Sequence, residues 1–517
     1  MLQDHLIWKG SPDELLTRLS AIRQEPSGVR SRAAERQLFP AYLTLLAILF
    51  FVSGPVLWGS AFSISELGAR ASGMGTAFTA IADDGSALFY NPAGIGFQPG
   101  THLQMDGTVV VGIFHFFPGS PAPGLIVPPN GFSGSIKPHF IPVASLFATK
   151  QLSPKLTVGF GMFTPFGLAA NFTNFHDSDP ALSKYPGRWK GTRAQLQAFW
   201  FQPTVAYRIM PNHSIALGIA FVHTHLFIEE SILNPRDDGL KFGREAAKVI
   251  FPGVDKEQAA RVIARLLPEG RSRIAGTANS PGFNLGYLYK QPDGKWNFGL
   301  MFRSAVTSHL SGKASFAFNP NFTLQPFVKD GLLTKAFPNQ SITGSFSTPA
   351  TYAVGVSTHT FHKILASADF VFQDYQRFQS VPLNFSITQA TNKDVRTEDE
   401  LRLIFNFRNS YHIALGAEKQ LNPLTVVRVG YLFDRSPVVE ESVGPLFPDS
   451  NRHGITFGAT RTRGNKEFTL FYEAMQFVNR TTNVAANDIF GTNGEYRNFA
   501  HLAGMALRIN LGKGPGN

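Results

Sequence analysis

A chain of 517 residues without a single cysteine excludes disulfide scaffolds, thiolate metal sites and cysteine nucleophiles together. Hydrophobic residues make up 43% of it and the mean hydropathy is −0.04, too polar for a bundle of membrane-spanning helices but suited to a wall that alternates apolar with polar residues. The net charge is +11, yet Lys and Arg are scattered. That pattern disfavours nucleic acid and suits anionic headgroups, acidic ligands or a solvated loop surface.

The first apolar run is Tyr42 to Trp58, preceded by Arg30, Arg32 and Arg36 and followed by Gly59-Ser60-Ala61. It predicts a Sec-type signal peptide cleaved near Ala61, so that residues 1–61 are leader and signal. The alternative, a spanning helix, is disfavoured by the run's shortness and by Gly54-Pro55. No function is assigned to residues 1–40. Residues 62–100 are rich in Gly, Ala and Ser, broken by Asp83-Asp84-Gly85 and by the turn Asn91-Pro92-Ala93-Gly94. They read as a compact hatch, of a size to sit inside a barrel. Gly73-x-Gly75 lacks the third glycine and the βαβ setting of a dinucleotide loop.

From 101 to 511 one plan repeats: alternating strand, tight turn, alternating strand, long loop. The turns are Leu152–Lys155, Met210–His213, Gln291–Lys295, Thr360–Lys363, Leu421–Pro423 and Arg463–Lys466. Long loops are expected near 118–139, 168–193, 231–273, 317–346, 379–407, 437–452 and 480–495. Short turns at one end and long loops at the other are the asymmetry of an outer-membrane β-barrel. Counting segments gives an all-β fold, a transmembrane antiparallel barrel of fourteen strands, with residues 512–517 as a tail and both termini in the periplasm. Alternation is cleanest late: Tyr411, Ile413, Leu415 and Ala417 oppose His412, Ala414, Gly416 and Glu418.

The hatch sequence Gly68-Ala-Arg70-Ala-Ser-Gly73-Met-Gly75-Thr-Ala-Phe78, then Asp83-Asp84 and Asn91-Pro92-Ala93-Gly94, resembles the FadL-type family of long-chain fatty acid and hydrocarbon transporters of the bacterial outer membrane. Trp189-Lys-Gly191-x-Arg193, Gln202-Pro203, Gly430-Tyr431-x-x-Asp434-x-Ser436-Pro437 and Pro448-Asp449-Ser450-x-Arg452 support it in order and spacing. The last strand resembles the signal read by the barrel assembly machinery, but the chain ends in Gly-Lys-Gly-Pro-Gly-Asn instead of an aromatic residue.

The resemblance implies an N-terminal hatch and passive passage of fatty acids or other hydrophobic compounds sideways through the wall. The hatch end, Phe62, Ile64 and Leu67, would gate a luminal pocket. The strand containing Gly159, Gly161, Pro165, Phe166 and Gly167 would be the kinked third strand that opens laterally, since Pro and Gly spoil ladder pairing. A helix over Lys256–Leu267, with Val262, Ile263, Leu266 and Leu267 apolar, would line an extracellular groove or else pack on the rim. Head-group candidates by strand parity are Arg303 and Arg428, with Phe221, His223 and His225 on one further face. His-x-His lacks a third metal ligand, and no metal, cofactor or catalytic group is expected. Expected partners are hydrophobic small molecules, lipopolysaccharide and outer-membrane lipids, with the chain a monomer. The rival readings are an outer-membrane lipase, a general porin, and an adhesion or phage-receptor surface on the loops.

Overall fold

Alternation sorts each strand's side chains between two environments, and both walls of the computed structural model follow it. The structure describes residues 61–119, 134–136, 140–171, 186–235, 237–250, 255–318, 332–361, 364–386, 400–444, 447–488 and 491–512. The expected leader and signal peptide apart from Ala61, the tail beyond residue 512, the turn at His362-Lys363 and the middles of several long loops lie outside the described residues.

Fourteen strands follow one another around a closed cylinder: β1 (Thr101–Pro118), β2 (Phe140–Gln151), β3 (Leu156–Asn171), β4 (Arg193–Met210), β5 (His213–Ile232) and β6 (Gly270–Lys290) are single pieces. The next four each come in two: β7 (Trp296–Arg303, Val306–Phe318), β8 (Gln340–Thr348, Thr351–Phe361), β9 (Ile364–Gln373, Ser380–Phe385) and β10 (Glu400–Ile404, Ser410–Asn422). Then come β11 (Thr425–Asp434), β12 (Arg452–Arg463), β13 (Lys466–Phe477, Arg480–Thr482) and β14 (Gly494–Gly512). β14 pairs antiparallel with β1 from Gly512 opposite Thr101 to Gly494 opposite Pro118, which closes the sheet.

Outside, Leu217, Ile219, Phe221, Leu285, Leu300, Leu415, Val429 and Phe457 are exposed, as lipid-facing residues must be. Inside, their neighbours Ala220, Val222, Asn284, Met301, Ala414, Arg428 and Thr456 are buried. No helix of the described residues is long and apolar enough to cross a membrane. Strands do the crossing, and the 21 residues of β6 at the usual tilt span roughly 50 Å, about twice the apolar band of such barrels. The hairpin Arg463-Gly464-Asn465-Lys466 turns in two residues because Gly464 takes φ +61° at no steric cost.

Several expected loops contain regular structure. Residues 317–346 include the start of β8, 379–407 include the upper pieces of β9 and β10, and 231–273 hold a helix α3 (Asp238–Ile250) beside the expected one, α4 (Lys256–Leu266). The reason is chemical. The upper piece of β8 reads Gln340-Ser-Ile-Thr-Gly-Ser-Phe-Ser-Thr348, with hydroxyls where a lipid-facing strand would carry apolar residues. Its ladder to β7 holds it as a strand above the bilayer.

Residues 62–97 fill the lumen as short turns: a helix of four residues, α1 (Ala69–Ser72), another, α2 (Ala87–Tyr90), and a 3-10 turn over Pro92–Phe97. Small side chains let this hatch lie against the wall. At Gly75, with φ +62°, it meets Gly430 of β11, where an added Cβ would sit 2.1 Å from the Gly75 nitrogen. No other residue fits on either side of that contact.

Candidate functional site

The hatch is latched to the wall by inward polar side chains, each taking a backbone group the short turns leave unpaired. Asp369 of β9 accepts from the Phe78 and Thr79 amides at 2.8 and 2.7 Å. Thr456 of β12 takes Gly75 N at 2.9 Å, and Gln202 of β4 and Asn284 of β6 both donate to the Leu88 carbonyl. Asn91 caps the 3-10 turn, and its Nδ2 reaches the carbonyls of Thr79 and Tyr287 at 2.8 and 2.9 Å. Arg70 pairs with Asp83 and, at 2.9 Å, with Glu418, which also holds Arg428 at 2.6 Å. Each such bond contributes about 1 kcal/mol net, charge-assisted ones about twice that, so the plug is held collectively.

At the start of the hatch, residues 61–64 make a different contact. The β2–β3 ladder stops at Leu146 opposite Met162, although β2 continues to Phe140 beside β1. Above that point β3 carries a bulge: Phe163 faces Trp200 of β4 while Phe166 faces Ala198, so Thr164-Pro165 oppose one residue. Where β2 has withdrawn, the N-terminal segment takes its place. Ile64 N donates to the Pro165 carbonyl at 2.8 Å, Gly167 N to the Phe62 carbonyl at 2.7 Å, and Ser63 bridges Phe166. Ala61 N donates to Asp449 Oδ2 at 3.0 Å, and Asp449 also accepts from Ser436 Oγ at 2.7 Å. Asp434 of the same late motifs sits on Arg452 at 2.6 Å and on His412 at 2.6 Å.

Phe62 is fully buried in a ring of Phe166, Tyr375 and Phe378, with centroids 6.0, 5.3 and 4.9 Å away, and Phe447 at 6.5 Å. Burying such a ring contributes about 2–3 kcal/mol, and each aromatic contact roughly 0.5–1.5 more. Phe378 also lines a wholly apolar pocket of about 30 Å³ with Leu168, Leu196, Leu226, Ile228 and Phe346. On the other side, Ser63 and Ile64 border a polar cavity of about 50 Å³ with Phe89, Arg303, Asp369 and Asp434. The segment 62–64 therefore borders this second cavity directly and adjoins the apolar pocket through the Phe62 contacts with Phe378 and Phe447.

Leu67 is buried in the same apolar cluster as Phe62 and Ile64. Arg303 and Arg428 are inward and buried, as parity predicts. Phe221, His223 and His225 are not luminal: Phe221 is 53% exposed on the lipid-facing wall, in line with Leu217 and Ile219. His223 Nδ1 contacts Asn279 Oδ1 at 2.7 Å on that outer face. Both faces of β5 are apolar here, because the lumen is dry, so periodicity alone left the face undecided. Gly159 and Gly161 do not belong to the gap either. They pair with Thr149 and Phe147 in the intact ladder, and they make room for Leu88 of the hatch. The break lies at Thr164-Pro165.

On the long-loop side α3 and α4 pack through Phe242, Ala246, Ala260, Ile263 and Leu267, which together with Leu333 form a separate cluster. Ile263 and Leu267 are thus spent on helix packing, while Val262 and Leu266 stay exposed. Asp255 caps α4 through the Glu257 and Gln258 amides. Lys190, the centre of the Trp189-Lys-Gly191 motif, donates to the Glu441 carbonyl at 2.7 Å and to Asn487 Oδ1, tying three loops together. Burial pushes its ammonium down to about 8, partly offset by the Glu441 carboxylate.

Sequence reasoning missed the aromatic cluster of Tyr375, Phe378 and Phe447, on which Phe405 and Phe407 pack, and the latches Asp369, Thr456 and His412, whose Nε2 lies 2.6 Å from Thr76 Oγ1 of the hatch. The first comes from loops without periodicity. The second had a signal: lone polar residues at inward positions of strands.

The family model described as Outer membrane protein transport protein (OMPP1/FadL/TodX) matches residues 51–510. The chain is 25% identical over 481 residues to the 47 kDa outer membrane protein of Pasteurella multocida, covering 88% of this chain and 98% of that one. It is 23% identical over 444 residues to the long-chain fatty acid transport protein of Escherichia coli O6:H1, covering 80% and 86%. Among solved structures, a Pseudomonas aeruginosa FadL homologue superposes with TM-score 0.70 at 14% identity, over 87% of this chain and 100% of that one. The Pseudomonas putida toluene transporter TodX gives 0.61 at 16% identity, over 86% and 98%. At these identities the structures establish the barrel fold.

Proposed function

The chain belongs to the OMPP1/FadL/TodX family of outer membrane transport proteins, and from that premise we propose that it carries long-chain fatty acids or similar hydrophobic compounds passively into the cell and releases them sideways. The family is one of transport channels, and its members include proteins named for fatty acids and for toluene. Cargo is captured at the long-loop rim near Val262 and Leu266, enters the apolar pocket lined by Phe378, and displaces residues 62–64. That displacement also vacates the edge of β3 at Thr164-Pro165, so pocket opening and wall opening are one event. Each buried CH₂ of the cargo contributes about 0.8 kcal/mol, enough for a short apolar pocket to capture it from water. The gradient supplies the rest, with no nucleotide in the scheme. We place the protein as a monomer among lipopolysaccharide, inserted by the barrel assembly machinery.

The observation that carries the reading is the pairing of the N-terminal segment with β3 where β2 leaves it. Ser63 and Phe166 form a bridge whose flanking residues make the hydrogen bonds, the close pair type with Cα atoms about 4.5 Å apart, within disulfide range. In a chain without cysteine, the double variant Ser63→Cys, Phe166→Cys gives one defined cross-link. Uptake of a radiolabelled fatty acid by cells expressing it should stop on oxidation and return on reduction. Unchanged uptake through the cross-linked protein rules the gate out.

A further inference from the structure

We infer that the outer wall of β4–β8, above the apolar band, is a docking site for the phosphorylated sugar head group of lipopolysaccharide, a binding role separate from the passage of cargo. An apolar band about 25 Å tall takes roughly ten residues of a strand tilted by about 40°. Counted from the short turns, it ends near Trp200 on β4, His223 on β5 and Ser280 on β6, and at the breaks between the two pieces of β7 and of β8. An aromatic belt marks the same edge: Phe201 lies 6.2 Å from Phe221, and Phe302 lies 5.7 Å from Phe283 and 5.0 Å from Tyr352. Short turns are periplasmic and long loops extracellular, so the wall beyond this edge faces the head groups of the outer leaflet.

Beyond the belt the outward residues turn polar in register from strand to strand. Gln197, His225, Thr277, Ser311 and Thr343 are successive partners across β4 to β8. Higher on the same outward positions come Lys313, then Arg193 and Arg273, then Arg271. Against them, the one carboxylate on the outward face of this stretch among the described residues is Glu229, which Arg273 holds at 2.6 Å. Arg193 lies over the Phe227 ring at 5.0 Å. Two donors here are buried without a hydrogen-bond partner, Arg193 Nε and Gln197 Nε2. Height selects the ligand. At roughly 2.5 Å per residue along the membrane normal, the row from Gln197 to Thr343 stands roughly 7–12 Å above the apolar edge, and the cations roughly 17 Å. The head group of an ordinary phospholipid extends only roughly 5–8 Å beyond the hydrocarbon, short of those cations. A glycolipid whose sugars carry phosphates reaches both: the hydroxyl, amide and imidazole row meets sugar hydroxyls, and the cations above it, on stems that reach downward, meet phosphate.

The test uses the full-length protein purified in mild detergent, stripped of lipid and titrated in native mass spectrometry. The probes are a short-core lipopolysaccharide, the same glycolipid with its phosphates removed, and phosphatidylglycerol. The phosphorylated glycolipid should bind at least about tenfold more tightly than either of the others, the scale of a charge-assisted bond. Combining Lys313→Glu with Arg193→Gln should erase that margin. Lys155→Glu, a charge change on an exposed short turn at the opposite rim, should keep it. The wild-type comparison needs no variant, so misfolding of the double variant, visible as lost heat-modifiable mobility, leaves the proposal testable. Equal affinity for the glycolipid with and without phosphate overturns the proposal, as does a margin that survives the double variant in a folded barrel. Phosphatidylglycerol binding as tightly as the phosphorylated glycolipid would assign the wall to any anionic lipid and overturn it too. None of these results bears on the uptake reading, which stands or falls by its own cross-link.

Discussion

Single residues decide which loops stay closed over the barrel. Lys190 is held inside the loop cap by the Glu441 carbonyl and Asn487, and burial lowers its ammonium to about 8 from an ordinary value of 10.5. Between those two values the opened cap binds more protons than the closed one, so closure strengthens as pH rises from about 8 and is unaffected below it. The closing equilibrium should gain about tenfold between pH 7 and pH 9. Hydrogen exchange of residues 437–444 and 485–488, corrected for intrinsic rate, would register this as added protection. Lys190→Met should flatten the dependence, and protection that falls with pH would refute the assignment. The outward His223 belongs to this scale too: a one-residue shift in a strand of period two moves a side chain from lumen to lipid.

Elements carry the gate. The bulge at Thr164-Pro165 bends β3 away from β2, and deleting Thr164 removes the extra residue. The shortened strand should keep its pairing with β4, regain β2 as a neighbour and lose uptake, while the folded barrel still resists heat in a mobility assay. Uptake persisting in that variant would move the exit elsewhere. The hatch seat is the second element. Gly430 gives bare backbone to Gly75, so Gly430→Val must push the hatch off the wall. Because the latches at Asp369, Thr456 and Gln202 each contribute little alone, losing the seat should free the plug as a unit. Ion conductance in planar bilayers should then rise from near zero to a stable open level. A barrel that stays sealed would show that the contact is dispensable.

At the scale of the molecule, the bore of the cylinder is filled by residues 62–97. Protein isolated in mild detergent should carry an extractable fatty acid, seen by native mass spectrometry, and should exclude small sugars in liposome swelling. Sugar passage with no apolar ligand bound would favour a general porin. Much of this was written in the chain. Strand number, direction, the tight turns and the compartment follow from local alternation and from turn chemistry, because each lipid-facing residue and each Gly or Pro acts within a few neighbours. The Gly- and Ala-rich stretch before Thr101 declared a plug for the same reason. What the sequence could not decide were the contacts between that plug and the wall. Asp369 on Phe78, Asp449 on Ala61 and Pro165 on Ile64 join residues far apart in the chain. They exist only once the sheet has closed, since closure sets which inward side chains face a dry plug and which strand edge is left for the N-terminal segment to pair.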